Sequence, residues 1–409
     1  MKRFCAFFPT LAVACTSASP PEATKVTEGP LYAAMVTVAG PDGDTSYLTT
    51  IGSLDAGSVL DIDAGIEFPG TASILGISGH PSVWVTSWDE PTIERWDLDR
   101  NDTFQRGPTV SFAKLGVENT GYVSLSLAFT LERAAFYSRE LGALVQWNPS
   151  TMEIVATLPL DIPDNGTIPP ADGWVQLRPD GTVLVDYYYL DGDWNLGDRV
   201  GLTTVDWIKN EIVGRDEWLG CNYLGRGGHT SDGTAYYTAL AQWVQDALLW
   251  PGEPSTAVPC ALRVLPGETA FDRDFSPTDL GDLVGGRQVT GSLEVLNDER
   301  AYFVAWHDEL VPEPLTPENF DGLRYSTPAW KWYTWDLASE QATEVESDPF
   351  ASQPDVLWAD GRMFFRDQCL TADRGGRGIT PLYELTAEGT LENAFIGYGI
   401  VDSIVKVRD

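Results

Sequence analysis

Apolar and polar positions alternate along residues 83–100, VWVTSWDEPTIERWDLDR, and outline the unit that the rest of the chain repeats. Val83, Val85 and Ser87 alternate with Trp84, Thr86 and Trp88; Asp89, Glu90 and Pro91 break the run, and a strand-like pattern resumes from 93 to 98. Period-two alternation on both sides of a polar, proline-bearing break predicts a β-hairpin. Comparable hairpins are predicted at 134–147, 182–207, 234–265, 301–337 and 362–385, each behind a shorter apolar run. Recurrence at roughly 50 to 70 residues is the signature of a β-propeller, whose blades are four-stranded antiparallel sheets. A pair of β-sandwich domains is the competing arrangement for such hairpins.

The turns set the phase. Asp-Gly suits a tight hairpin because both residues tolerate positive φ. It stands at Asp180-Gly181, Asp232-Gly233 and Asp360-Gly361, with Asn297-Asp298 at the equivalent place in another unit. If these are the turns between the first two strands of each blade, a and b, six blades run from about 73 to 395. Two pieces remain: 31–65, with three predicted strands at 32–38, 46–52 and 59–62, and 400–407, with one. Joined, they make a seventh blade whose innermost strand comes from the C-terminus, leaving no sheet edge exposed at the seam. The expected fold is therefore all-β, a seven-bladed β-propeller closed by pairing the two ends of the chain in one blade.

Length alone would allow two or three domains in 409 residues, but a closed propeller makes one. Asp and Glu number 60 against 26 Lys and Arg, a net charge of −34 that repels phosphate backbones and excludes nucleic acid as a partner class. Lys2 and Arg3 precede an apolar stretch, 4–14, too short to span a bilayer and patterned like an export signal. Residues 1–14 are expected to be a signal peptide, 15–29 a flexible tether with Pro20 and Pro21, and 30–409 the propeller. Five cysteines, Cys5, Cys15, Cys221, Cys260 and Cys369, contain no CxxC pair, which speaks against a zinc ribbon. In the propeller phasing Cys221 opens strand a and Cys260 strand c of one blade, so a disulfide between them is expected, clamping the root of the loop at 239–259.

In this phasing most a–b turns are tight, while the b–c loops swell at 239–259, 308–329 and 366–380. Long loops on one face of a rigid scaffold are where binding usually resides. Trp243, Trp250 and Trp306, with His307, Arg366, Arg374 and Arg377, would form an aromatic and cationic rim able to hold a flat or anionic ligand by stacking and bidentate hydrogen bonds. The alternative is that the tryptophans pack their own loops and the arginines answer the protein's acidity. Asp191, Asp193, Asn195 and Asp198 place oxygens as a calcium loop does, although Leu196 stands where such a loop needs Gly and Leu202 where it needs Glu. His80 and His229 fall towards the face opposite His307, so the three histidines cannot share one metal. No Walker loop, nucleophile elbow or metalloprotease helix occurs in the sequence.

Residues 11–15, Leu-Ala-Val-Ala-Cys, resemble a bacterial lipobox, in which Cys15 is lipidated; Ala12 departs from the commoner Leu. With the Asp-Gly turns and the Trp-Asp-Leu strands Trp96-Asp97-Leu98 and Trp335-Asp336-Leu337, they make the chain similar to the seven-bladed propeller lipoproteins of Gram-negative bacteria, including the group found near siderophore and metal-uptake genes. The resemblance implies a non-enzymatic protein, lipid-anchored in the cell envelope at the outer membrane or periplasmic face, that binds a small ligand or an envelope partner protein in iron, siderophore or nutrient uptake. An extracytoplasmic hydrolase or lyase dependent on a divalent cation such as calcium, and a scaffold for an outer-membrane protein, are the competing functions.

Overall fold

The computed structural model of the chain describes residues 29–41, 43–121, 123, 127–162, 175–190, 196–221, 227–238, 260–275, 278–287, 289–313, 316, 319, 323, 327–350, 355–366 and 378–409. They form seven sheets. Blade 2 runs outward from the axis as Ala72–Gly76, Ser82–Ser87, Thr92–Leu98 and Phe104–Ser111, all antiparallel. Blades 3 to 6 repeat this order, with middle strands such as Ala134–Ser138, Thr182–Leu190, Ala235–Tyr237 and Arg300–Trp306 in the b position. The innermost strands of neighbouring blades touch: the Ile74 N–H donates to Ser403 Oγ at 2.8 Å, and a Cβ on Gly228 would stand 2.8 Å from Val295 Cβ.

Burial explains the sequence pattern. Each sheet stacks between two others, so a b strand is covered on both faces and reads as continuously apolar, as in Arg300–Trp306, where all but the first residue are buried. An outer d strand meets solvent, as in Glu153–Pro159, where no residue is fully buried. Among the described residues the core falls into seven clusters, each filling the space between two adjacent blades. Polar bonds lock the same seams. Trp84 Nε1 in blade 2 donates to the Pro149 carbonyl in blade 3 at 3.0 Å. The buried Arg178 in blade 4 donates to the Leu265 and Glu268 carbonyls of blade 5 at 2.9 and 3.0 Å.

The seventh seam closes as the sequence predicts. The C-terminal strand Ile400–Arg408 lies innermost in blade 1 and pairs antiparallel with Leu31–Gly40, which pairs in turn with Gly43–Ile51. One expectation is corrected. The stretch 59–62 is not the next strand of this blade; Ile66–Pro69 takes that place, and Val59–Leu60 crosses to pair in parallel with Leu391–Tyr398, the outermost original strand of blade 7. The reason is burial, since Leu60 and Ile62 fill the space between blades 7 and 1 beside Leu357 and Phe364. Val59–Leu60 is thus a strap over the joint.

The Asp-Gly turns sit between strands a and b as phased. At Asp360-Gly361 both residues have positive φ, 54° and 74°, the geometry of a two-residue hairpin turn. Strand direction then assigns the faces: a–b and c–d turns on one, b–c and d–a connections on the other. The segments at 239–259, 307–329 and 367–378 all leave and rejoin strands on the second, long-loop face.

Candidate functional site

On the long-loop face the described residues converge around His307. It follows the last residue of the b strand Arg300–Trp306, and its N–H donates to the Ala329 carbonyl at 2.8 Å, where the connection returns to strand c. The imidazole is only 3% exposed. Its Nδ1 lies 2.9 Å from Glu309 Oε1 and its Nε2 3.0 Å from the Tyr333 hydroxyl, which lies 3.2 Å from Glu344 Oε2. Arg287 reaches Glu309 at 2.6 Å from the connection that enters blade 6, and Lys331 closes the far end by an ion pair with Glu344. A continuous chain of charged and polar groups, Arg287–Glu309–His307–Tyr333–Glu344–Lys331, therefore runs across the upper edge of one blade.

Register makes this chain. Lys331 and Tyr333 are two apart on Trp330–Asp336 and project to the same side, and Tyr333 stands opposite Glu344 on the next strand. Phe303 stacks against Tyr333 at 5.6 Å and fixes the phenol beneath the imidazole. A hydrogen bond from a backbone N–H, then the Arg287 guanidinium and His307, hold the Glu309 carboxyl down at about 2. Burial, then the negative charge of Glu344, push the Tyr333 hydroxyl up to about 12. Burial alone would raise Glu344, but the hydrogen bond and charge of Lys331 keep it below its ordinary value.

Proton placement follows from these partners. Glu309 is ionised and can only accept, so His307 Nδ1 carries hydrogen. A phenol has one hydrogen to give. With a neutral imidazole, Tyr333 donates to Nε2; with an imidazolium, Nε2 donates to Tyr333 and the phenol turns to Glu344. The cluster thus couples a buried ring to two half-exposed carboxylates on the surface.

Acid should expose its contribution. Glu309 titrates below the ordinary 4.5 in the folded chain, so the stability it adds is present above pH 4.5 and lost as pH falls toward about 2. Urea midpoints of the wild type and Glu309→Gln should differ at neutral pH and draw together across that window; a difference constant with pH would contradict a stabilising role for the ionised Glu309.

The other sequence-derived candidates are placed as follows. Trp306 is 1% exposed and stands edge-on to Trp330 at 4.7 Å inside the core between blades 6 and 7, so it packs the blade and does not line a rim. Its strand is covered on both sides, which forbids an outward indole. His307 is at the expected strand end but buried in the network rather than presented to solvent. Arg366 donates to the Val401 carbonyl at 2.8 Å and lies 3.6 Å from Asp402, tying blade 7 to the C-terminal strand. Asp198 is exposed and bonded to Arg199 at 2.9 Å. Trp243, Trp250, Arg374, Arg377, Asp191, Asp193, Asn195 and Cys15 lie outside the described residues. Cys221 and Cys260 form the expected disulfide, both sulfurs buried. Among the described residues no group of three His, Cys, Asp or Glu is placed to hold a metal ion.

No known family model matches the chain, and no curated protein does. Solved structures do share its architecture. A hypothetical selenium-binding protein of Sulfolobus tokodaii superposes with a TM-score of 0.51 at 10% identity, over 93% of this chain and 91% of that one. A candidate 6-phosphogluconolactonase of Bacteroides uniformis gives 0.50 at 11%, over 93% and 100%. Apo AztD of Citrobacter koseri gives 0.43 at 10%, over 92% and 98%. The shared property is the propeller. At such identities the chemistry of those proteins does not transfer.

Proposed function

We propose that this is a non-enzymatic binding propeller, held in the cell envelope by a lipid on Cys15, that takes a small ligand or a partner protein at its long-loop face, in the service of iron, siderophore or other nutrient uptake. The observation that carries it is the asymmetry of the two faces: the three longest b–c connections and the Arg287-to-Lys331 chain occupy one, while tight a–b turns lie on the other. The Cys221–Cys260 bridge supports an oxidising compartment. Carboxylates and cations side by side suit a ligand with both signs of charge, or a polar protein surface, better than a purely apolar one.

A thermal-shift screen of the full chain against metal–siderophore complexes, divalent cations including calcium, sugars and peptides tests this. A ligand at 100 to 1,000 times its dissociation constant should stabilise by about 3 to 4 kcal/mol, visible as several degrees. The shift should shrink in Glu309→Gln and in Trp250→Ala. A ligand whose shift survives both changes and is turned over by the protein would replace this reading with the enzymatic one.

A further inference from the structure

The opposite face carries a surface of its own. A groove of about 610 Å³ opens among the a–b turn of blade 2 at Ile77, the a–b turn of blade 3 from Thr130 to Arg133, and the c–d turn of blade 4 at Trp207 and Ile208. Arg133 lies over the Trp207 ring at 5.6 Å and holds that turn by a hydrogen bond to the Trp207 carbonyl. Beyond the ring Ile208 projects into solvent, 78% exposed, more than any other large apolar residue described. Lys209 beside it is held by an ion pair to Asp206 at 2.7 Å, and Leu265 is about a third exposed on the c–d connection of blade 5.

Chain direction adds the second observation. The first strand of the propeller, Leu31–Gly40, is a b strand, so it starts from the a–b-turn face, where Arg408 Nε donates to the Gly29 carbonyl at 3.2 Å. The described chain therefore enters the propeller at Gly29 on the face that carries Ile208. We propose that this face rests on a lipid bilayer, with Ile208, and Leu265 on the next blade, entering the acyl boundary. The inference rests on the lipid-anchored reading for the role of the tether. Residues 15–28, extended, reach about 45–50 Å, which would let a propeller turn freely; the apolar turn selects one orientation. The net charge of −34 disfavours a strongly anionic leaflet, so the contact is apolar first. The long-loop face then points away from the membrane.

Photo-cross-linking separates the possibilities. The full chain, with a benzophenone-bearing residue placed at Ile208, at Leu265 or at Leu310 on the long-loop face, is mixed with phosphatidylethanolamine–phosphatidylcholine vesicles and irradiated. A phospholipid mass added at 208 and 265 but not at 310 is the expected result. Equal labelling at 310, or cross-links from 208 into residues 15–28 or into a second copy, would overturn it. Flotation of the wild type against Cys15→Ser reads the anchor separately. A wild type that floats without lipid labelling at 208 sinks the surface alone, whereas labelling at 208 with no flotation difference sinks the anchor alone.

Discussion

Deleting residues 400–409 should leave a chain with no cooperative unfolding transition. The lost strand buries Val401, Ile404 and Val407 almost completely, at about 1.5–3 kcal/mol each, and with them goes the antiparallel pairing from Leu31 to Thr37. The sum approaches the whole stability of an ordinary domain, about 5–15 kcal/mol. What remains would also expose the bare edge of Leu31–Gly40, a template for aggregation. Circular-dichroism melts and size-exclusion chromatography read both effects. A truncated chain that stays monomeric and melts within a few degrees of the wild type would show that the seam contributes little.

Replacing Cys221 and Cys260 together with alanine should cost about 4 kcal/mol. The bridge spans 39 residues, and closing a loop of that size removes this much conformational freedom from the unfolded chain in the chain-entropy account. It does so across a blade whose b strand, Ala235–Tyr237, is only three residues long, so the sheet has few ladder hydrogen bonds with which to compensate. Urea midpoints at unchanged slope give the number. Reducing the wild type should bring it to the value of the double variant, and a loss under about 1 kcal/mol would mean that the blade is held by its neighbours instead.

Architecture was legible because it depends on signals of short range. Asp-Gly turns and period-two runs phase the blades, and the leftover pieces at the two ends find each other by elimination. The disulfide followed from that phasing. The burial of Trp306 is legible in its strand: Ala301 to Trp306 contains no charged side chain, and a strand apolar on both sides is covered on both sides. The His307 cluster was half legible. Lys331 and Tyr333 stand two apart, but their meeting with Glu344, Glu309 and Arg287 depends on cross-strand register and on how one blade leads into the next, and neither is written in local pattern. A two-residue strap such as Val59–Leu60 is below anything periodicity can resolve, so 59–62 reads as the outer strand of blade 1 in place of Ile66–Pro69.

The joint of blade 1 also sets a timetable. Synthesis delivers Leu31–Gly40 early and its partner Ile400–Arg408 late, so the ring cannot shut until that strand has emerged. Contacts between such distant segments form slowly, because a very long loop must close before they return any energy. Until then the nascent ring stays open at one joint, and the edge of Leu31–Gly40 is available to whatever strand reaches it first.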